Sequence, residues 1–219
     1  MAQTAASYTA QGGSIPPPAT QCLQFIPACL PGLFEAFNGD YVPRANIAVR
    51  RALDIGANCG AFSILARMRW PGSEIFCYEP HPDNFAALAN NCEITRAIPF
   101  RLAIGRPGKR TLYHGDGTNL CASLHHGPRT IEGGVEVDVM SPADLPLADL
   151  AKIDAEGAEV EIIESWPQAC LPTYLMIEYH SESARRAVDG MLRQTHGLCY
   201  ARAAGPGLGV AHYHDGRGA

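Results

Sequence analysis

The sequence predicts a single α/β domain, built on a mostly parallel β-sheet with helices on both faces. Short apolar runs alternate with helical stretches along most of the chain, which is typical of repeated βαβ units. The 219 residues, 47% of them hydrophobic, are enough for one core with an appendage and too few for two full-size domains. Acidic and glycine-bearing segments follow several apolar runs, where α/β folds place their ligand sites.

The first half of the sheet comes from apolar runs separated by helices. The run 49–55 (VRRALDI) predicts a strand, and the stretch 61–70 after it repeats apolar residues at i, i+3 and i+4, as a helix does. The run 75–78 (IFCY) predicts the second strand, and 83–92 the second helix. This order begins a βαβα succession.

The middle of the chain adds a hairpin to this succession. We expect a third strand over 98–104, then a turn at 106–109 and a hairpin arm over 110–114. Residues 115–134 are rich in glycine and histidine and predict a loop. The alternating stretch 135–139 (VEVDV) predicts a half-exposed strand.

The last elements resume the alternation and then close the sheet. A buried strand over 150–154 leads into a helix over 159–166. A strand over 173–179 (TYLMIEY) leads into a helix over 181–194. The stretches 198–203 and 209–214 are expected to form a closing antiparallel pair.

Composition divides the chain into three parts. Residues 1–20 are rich in small and polar residues and proline, which predicts a flexible N-terminal arm. Residues 21–46 have irregular apolar spacing and predict a short helical extension or lid, and residues 47–219 form the main domain. Neither a signal peptide nor a membrane span is expected.

Charge and cysteine content restrict the partners and the compartment. The net charge of −5, from 17 Lys+Arg against 22 Asp+Glu, repels a phosphate backbone, so nucleic acid is not an expected partner. The eight cysteines are scattered without a C-x-x-C pair, which favours reduced thiols and a cytoplasmic protein.

A glycine-bearing turn follows the first strand and opens the first helix. In the segment Asp54-Ile55-Gly56-Ala57-Asn58-Cys59-Gly60, backbone can come close to a nucleotide-like cofactor. A dinucleotide fold places a second glycine where Asn58 stands, and the turn has no Lys or Arg. Both facts favour a cofactor without phosphates over NAD.

Acidic residues end three other strands. Glu79 follows the second strand, where a carboxylate can accept two hydrogen bonds from a ribose diol, although a lone glutamate there is often merely solvated. Asp154 and Glu156 follow the buried strand, and Glu156 can also be read as a favourable charge in a first helical turn. Glu178 and His180 end the next strand.

His180 is the best-placed general base in the sequence, with Asp154 as its acidic partner. A divalent metal held by Asp154 and Glu178 is an alternative way to activate a hydroxyl group. Because two carboxylates do not make a metal site, no metal is predicted from the sequence.

Together these segments resemble a known family. DIGANCGAFS, YEPHPDNF, KIDAEGAEVEII and IEYH, in this order, resemble the FkbM-like S-adenosylmethionine-dependent methyltransferases over about residues 41–203. The resemblance implies a seven-stranded, Rossmann-like sheet with a final reversed strand. It also implies methyl transfer to an oxygen, typically a hydroxyl group of a small molecule or sugar.

The resemblance also implies roles for individual residues. The residues expected to bind S-adenosylmethionine are Asp54, Gly56, Asn58 and Gly60 around its methionine part, Glu79 at its ribose, and Ala103 and Ile104 at its adenine. Those expected near the acceptor are Asp154, Glu156 and His180 as catalytic residues, with Glu178, Asn119 and His125 as substrate contacts.

Two other functions stay open. An NAD-dependent oxidoreductase or epimerase is disfavoured by Asn58 and by the lack of a Y-x-x-x-K pair. A non-catalytic module that keeps the cofactor fold is disfavoured by the presence of Asp154, Glu156 and His180 together. The expected partner is a small-molecule or glycan acceptor, and homo-oligomer formation is left open.

Overall fold

The computed structural model describes residues 39–114, 122–125 and 133–216. The predicted arm at 1–20, most of the predicted extension at 21–46 and Asn119 lie outside these residues. The predictions made for them stay predictions.

Ten strands and four α-helices make up the described fold. The strands are β1 (Arg51–Ile55), β2 (Glu74–Tyr78), β3 (Ile98–Phe100), β4 (Ala103–Ile104), β5 (Gly108–Tyr113), β6 (Gly134–Met140), β7 (Leu150–Ile153), β8 (Tyr174–Tyr179), β9 (Gly197–Gly205) and β10 (Leu208–His214). The helices are α1 (Ala61–Arg69), α2 (Pro82–Thr95), α3 (Glu159–Ser165) and α4 (Glu182–Leu192), with short 3₁₀ turns at Pro142–Asp144 and Gln168–Cys170.

Seven strands form the main sheet, in the order β3-β2-β1-β7-β8-β10-β9. The pairs from β3 to β8 are parallel, whereas β10 runs antiparallel to both β8 and β9. The predicted α/β fold, with a mostly parallel sheet and one reversed strand, is therefore confirmed. All the parallel strands end at the same edge of the sheet, and the acidic residues that follow them meet there.

A smaller sheet covers this edge and corrects one prediction. The strand predicted over 98–104 is two strands, because β3 pairs with β2 while β4 leaves the main sheet and pairs with β6 in the order β4-β6-β5. The ring of Phe100 stacks on that of Tyr78, 5.1 Å between centroids, and holds β3 on the main sheet. Ala103 is buried against the second sheet and Ile104 in the main core, so the chain bends after Phe100 and β4 lies between the two clusters.

Local signals explain where the helices begin. The Ser181 hydroxyl accepts a hydrogen bond from the backbone N–H of Ala184 at 3.0 Å and caps α4. The Nδ1 atom of His81 accepts a hydrogen bond from the backbone N–H of Asp83 and caps α2. Pro82 is the first residue of this helix, where its missing N–H costs nothing.

The hydrophobic core lies on both faces of the main sheet. One face packs Leu53, Ile153 and Leu175 against α3 and α4, and the other packs Ala52 and Ile75 against α1 and α2. Burial on both faces explains why these strands read as short apolar runs. The five cysteines within the described ranges are all free, and none of the helices there is long and apolar enough to span a membrane.

Candidate active site

A pocket opens where the carboxyl ends of the strands meet the smaller sheet. Its apolar wall contains Leu102, Ala103, Ile104, Leu112 and Leu124. Its polar lining contains the residues predicted at the ends of β1, β2 and β7, namely Gly56, Asn58, Glu79, Asp154 and Glu156. The fold thus brings most of the predicted site residues to one cavity.

The turn after β1 is shaped by a close approach of two strand ends. The backbone N–H groups of Gly56 and Ala57 both donate to the carbonyl oxygen of Tyr78 at 3.0 Å. Gly56 has a φ of 72°, and a Cβ atom there would lie 1.7 Å from the carbonyl oxygen of Asp154. Only glycine fits at this point, because a side chain would push the ends of β1 and β7 apart.

Glu79 lies at one end of the pocket and is only 5% exposed. One carboxylate oxygen accepts the backbone N–H of Asn58 at 2.9 Å, and the other accepts that of His81 at 2.8 Å. Burial raises the pKa of Glu79 to about 7, although these two N–H groups oppose the shift. Each ionised oxygen has acceptor capacity left for a ligand hydroxyl group.

Lys152 lies beneath the pocket, although the sequence analysis assigned it no role. Its buried ammonium group donates to the carbonyl oxygen of Gly56 at 2.7 Å and lies 3.2 Å from Asp154 Oδ2 and 3.5 Å from Asp54 Oδ1. Burial lowers the pKa of Lys152, but the neighbouring carboxylates outweigh burial and the net pKa is raised. The ammonium group therefore stays charged and links the ends of β1 and β7.

Asp54 and Gly60 do not line the pocket, although both were predicted to bind the cofactor. The Asp54 carboxylate is fully buried under the turn, and this burial raises its pKa to about 6. Gly60 has a φ of 88° and precedes the first residue of α1. Both residues shape the turn that presents Gly56 and Asn58 to the pocket.

His180 lies among four carboxylates, two of which, Asp154 and Glu156, line the pocket; we refer to this side as the acceptor end, for the role proposed below. Its Nε2 atom is 3.3 Å from Glu156 Oε2, 3.9 Å from Asp154 Oδ1 and 4.0 Å from Glu178 Oε1. Its Nδ1 atom lies 3.0 Å from Glu159 Oε1. Among the described residues, Asp154, Glu178 and His180 each offer one ligand atom within 4.8 Å of the others, an arrangement that could hold a metal ion.

This setting does not suit the general base predicted at His180. Burial lowers the pKa of the imidazole, but Glu159, Glu156 and Asp154 outweigh burial and raise it to about 10. At neutral pH the ring carries both protons, so it has no free lone pair to accept another. In this state the ring binds the carboxylates together and donates from both nitrogens.

Glu159 is the first residue of α3, and its carboxylate also holds the loop that precedes this helix. Its side chain is fully buried, and Oε1 accepts the backbone N–H groups of Ala155 at 3.2 Å and Gly157 at 2.9 Å. The same oxygen faces His180 Nδ1. Glu159 therefore fixes the orientation of the imidazole ring.

Tyr41 is a site residue that the sequence analysis missed. It is 2% exposed, and its hydroxyl group donates to Glu178 Oε2 and lies 3.5 Å from Asp154 Oδ2. Its segment is fixed by the Asp40–Arg202 ion pair. Tyr41 and Glu178 are 137 residues apart in the sequence, so their contact could not be predicted. The one indication was that Tyr41 lies in the predicted lid.

The predicted substrate contacts differ in their placement. Glu178 belongs to the cluster around His180. His125 is exposed, and its backbone N–H donates to the Ser123 hydroxyl at 3.1 Å, so it does not join that cluster. Ser123 donates to the carbonyl oxygen of Glu156 at 2.7 Å and ties this loop to the pocket rim.

A family model and known proteins match this chain. The model described as the methyltransferase FkbM domain matches residues 54–196. Methyltransferase 1 of Beauveria bassiana is 28% identical over 141 residues, which cover 51% of this chain and 56% of that protein. Hexuronic acid methyltransferase AglP of Haloferax volcanii is 22% identical over 149 residues, which cover 64% of this chain and 60% of that protein. The chain thus spans less than two thirds of the length of these curated relatives.

The chain was also compared with solved structures, and those reported below have TM-scores under 0.5. The tRNA methyltransferase TrmK of B. subtilis has a TM-score of 0.49 at 13% identity, with 89% of this chain and 68% of that chain covered. TYW2 of M. jannaschii, solved in complex with AdoMet, has a TM-score of 0.47 at 11% identity, with 87% and 78% covered. The fold assignment for this chain comes from its own strand order.

Proposed function

The chain belongs to the FkbM methyltransferase family, and from this premise we propose that it methylates a hydroxyl group of a small molecule or sugar with S-adenosylmethionine. One observation carries the proposal. One pocket is lined by an apolar wall, by the buried carboxylate of Glu79 after β2 on one side of β1, and by the carboxylates Asp154 and Glu156 after β7 on the other side.

The residues of the pocket fit S-adenosylmethionine by their chemistry. Ala103 and Ile104 offer an apolar surface for an adenine ring, and the Glu79 oxygens can accept hydrogen bonds from a ribose diol. The negative charge of Asp154 and Glu156 favours a cationic ligand at the other end. When bound, this cofactor supplies a methyl group on a positively charged sulfur atom.

The acceptor hydroxyl group must lose its proton during the transfer, and we assign this proton to the Asp154 carboxylate. Asp154 lines the pocket, and Lys152 holds its Oδ2 atom at 3.2 Å, which leaves Oδ1 facing the acceptor end. His180 positions the carboxylates, because it holds its own protons at neutral pH. The chain thus contributes binding, orientation and a proton acceptor.

One relative is described by its acceptor class, a sugar acid, so uronic acids belong among the acceptors to be tested beside neutral sugars. The Haloferax relative is described as a hexuronic acid methyltransferase, although the match covers only 60% of its length. The net charge of −5 argues against a nucleic acid acceptor. An NAD-dependent reaction is not favoured, because the Asn58 N–H donates to Glu79 and is not available for a pyrophosphate.

The test begins with ligand binding to the full chain. Isothermal titration is expected to show binding of S-adenosylhomocysteine and no comparable binding of NAD. Tighter binding of NAD than of S-adenosylhomocysteine would overturn the proposal.

The second step is a methyl-transfer assay with S-adenosylmethionine and a panel of uronic acids and neutral sugars, read by mass spectrometry. Once an acceptor is found, Asp154→Asn is expected to lower the rate about 10²-fold or more and to change S-adenosylhomocysteine affinity only a few fold. Glu164→Gln, an exposed carboxylate on α3, is the matched control. An Asp154→Asn rate close to that of the wild type would exclude Asp154 as the proton acceptor.

A further inference from the structure

Three side chains at the acceptor end carry ligand atoms that lie close together. Asp154, Glu178 and His180 each offer one ligand atom within 4.8 Å of the other two, and His180 Nε2 lies 3.9 Å from Asp154 Oδ1 and 4.0 Å from Glu178 Oε1. Three ligands evenly placed about 2.2 Å from one cation lie at most about 3.8 Å apart, so separations of up to 4.8 Å would have to contract by up to about 1 Å. Glu156 Oε2, 3.3 Å from the same nitrogen, is in reach as a fourth donor.

The outward atom of each side chain is fixed by a separate buried partner. Asp154 Oδ2 faces Lys152 at 3.2 Å, and Glu178 Oε2 accepts the Tyr41 hydroxyl group. His180 Nδ1 faces Glu159 at 3.0 Å. Outer partners of this kind set the orientation of metal ligands, and the carboxylate behind the histidine is a recurrent arrangement in metal sites.

The charge balance at this end also favours a cation. Five carboxylates face two cationic side chains: Asp54, Asp154, Glu156, Glu159 and Glu178 surround Lys152 and His180. Burial of unpaired negative charge is costly, and a divalent cation compensates it at short distance.

We propose that Asp154, Glu178 and His180 bind a divalent cation of the Mn²⁺ type at the acceptor end of the pocket, where the ion takes the place of the proton on His180 Nε2 and that proton passes to water. The donor set decides the class of metal. Carboxylate oxygens suit Mg²⁺, Ca²⁺ and Mn²⁺, whereas imidazole suits the transition metals, and Mn²⁺ accepts both. The absence of a cysteine among the ligands argues against a structural zinc site.

The use of this cation rests on the proposed function. Three or four protein ligands leave positions open on an octahedral ion for oxygens of the acceptor. A hydroxyl group bound there has a lowered pKa, and because Asp154 Oδ1 is then occupied by the ion, the proton passes to water instead of to Asp154. Vicinal oxygens, such as those of a sugar or sugar acid, could fill two positions and fix the acceptor beside the pocket.

The test measures Mn²⁺ binding to the chelator-treated full chain by the loss of the electron paramagnetic resonance signal of free Mn²⁺. Wild type is expected to bind one ion per chain. Asp154→Asn and Glu178→Gln are each expected to weaken binding at least 10-fold, and Tyr41→Phe, which removes an outer partner, about 10-fold. Glu136→Gln is the control, because Glu136 is an exposed carboxylate paired with Lys109 away from the pocket.

Circular dichroism and thermal unfolding show whether each variant folds. No binding to wild type at millimolar Mn²⁺ overturns the inference whatever the variants do. Equal affinity of wild type and both ligand variants also overturns it, since the ion then lies elsewhere. S-adenosylhomocysteine titration of the same samples separates the two proposals. Cofactor binding without Mn²⁺ binding overturns only the metal site. Mn²⁺ binding without cofactor binding overturns only the proposed methyl transfer from S-adenosylmethionine.

Discussion

Glu79 makes cofactor binding sensitive to pH near neutrality. Its pKa is raised to about 7 by burial, so a fall in pH from 8 to 6 protonates the carboxyl group and removes acceptor capacity for a ribose diol. We expect S-adenosylhomocysteine affinity to rise with pH across this window, by up to about tenfold per pH unit below the pKa. Isothermal titration at several pH values measures this dependence.

Glu79→Gln is the matched variant, because it keeps the size of the side chain and cannot ionise. It is expected to bind more weakly than wild type at pH 8 and to lose the pH dependence. A wild-type affinity that stays flat from pH 6 to pH 8 would show that Glu79 does not contact the ligand through its ionised form.

The residues that the sequence predicted well are those whose place follows from local motifs. Gly56, Glu79 and Asp154 follow parallel strands, so their meeting at one edge could be inferred from strand order alone. Tyr41 could not be inferred, because its contact with Glu178 depends on the folded path of the chain. The protonated state of His180 was also missed, since it depends on how many carboxylates the fold gathers around the ring.

Among the elements, the reversed strand β10 has a buried histidine that anchors the segment before β1. His212 is fully buried, donates from Nε2 to the carbonyl oxygen of Asp40 at 2.7 Å and has Nδ1 3.0 Å from the Tyr174 hydroxyl group. Burial lowers the pKa of His212 to about 4. The ring is therefore neutral in the fold and charged in the unfolded chain between pH 4 and the ordinary pKa of about 6.5.

This difference predicts a loss of stability in acid. In that pH window the unfolded chain binds more protons at this position, so the contribution of His212 to the free energy of unfolding rises with pH. Acidification from pH 7 to pH 4 is expected to remove about 3 kcal/mol of this contribution. Asp54 and Glu79, whose pKa values are raised in the fold, act in the opposite direction over part of the window.

A comparison with His212→Gln isolates the histidine from these carboxyl groups. Gln keeps a donor for the Asp40 carbonyl oxygen and does not titrate. The wild-type free energy of unfolding, minus that of the variant, is expected to fall between pH 7 and pH 4 in urea titrations. A constant difference would mean that His212 is charged in the fold or exposed to water.

The elements themselves were predictable where one face or both faces of a strand are buried. The apolar runs of β1, β7 and β8 mark strands covered on both sides, and the alternation of β6 marks a strand covered on one. The break between β3 and β4 was not predicted, because residues 98–104 (IPFRLAI) have no glycine or turn motif at the division and only Arg101 interrupts the apolar residues there. Its division depends on the contact of Phe100 with Tyr78 and on β6, which lies far along the chain.

At the scale of the whole molecule, the segment before β1 is part of the fold and of the site. Tyr41 packs against Phe62 on α1, 6.3 Å between ring centroids, and the backbone N–H of Arg44 donates to the Tyr174 hydroxyl group at 2.8 Å. Asp40 pairs with Arg202 on β9. The domain boundary predicted at residue 47 therefore separates residues that the fold holds together.

Two truncations test this boundary. Removal of residues 1–20 is expected to leave the melting temperature and S-adenosylhomocysteine affinity unchanged, because the composition of that arm predicts little burial. Removal of residues 1–46 takes away Tyr41 and the Asp40 contacts. It is expected to cost about 3 kcal/mol or more from lost burial and hydrogen bonds. For a domain of this size that cost corresponds to a fall in melting temperature of about 6–12 °C.

The second truncation should affect the two ends of the pocket unequally. Glu79 and the apolar wall lie away from Tyr41, so cofactor affinity is expected to change only a few fold below the melting transition. Methyl transfer is expected to fall much further, because Glu178 loses the hydroxyl group that holds its outer oxygen. Equal losses of cofactor affinity and methyl transfer would instead mean that the segment before β1 supports the whole sheet edge and has no separate role at the acceptor end.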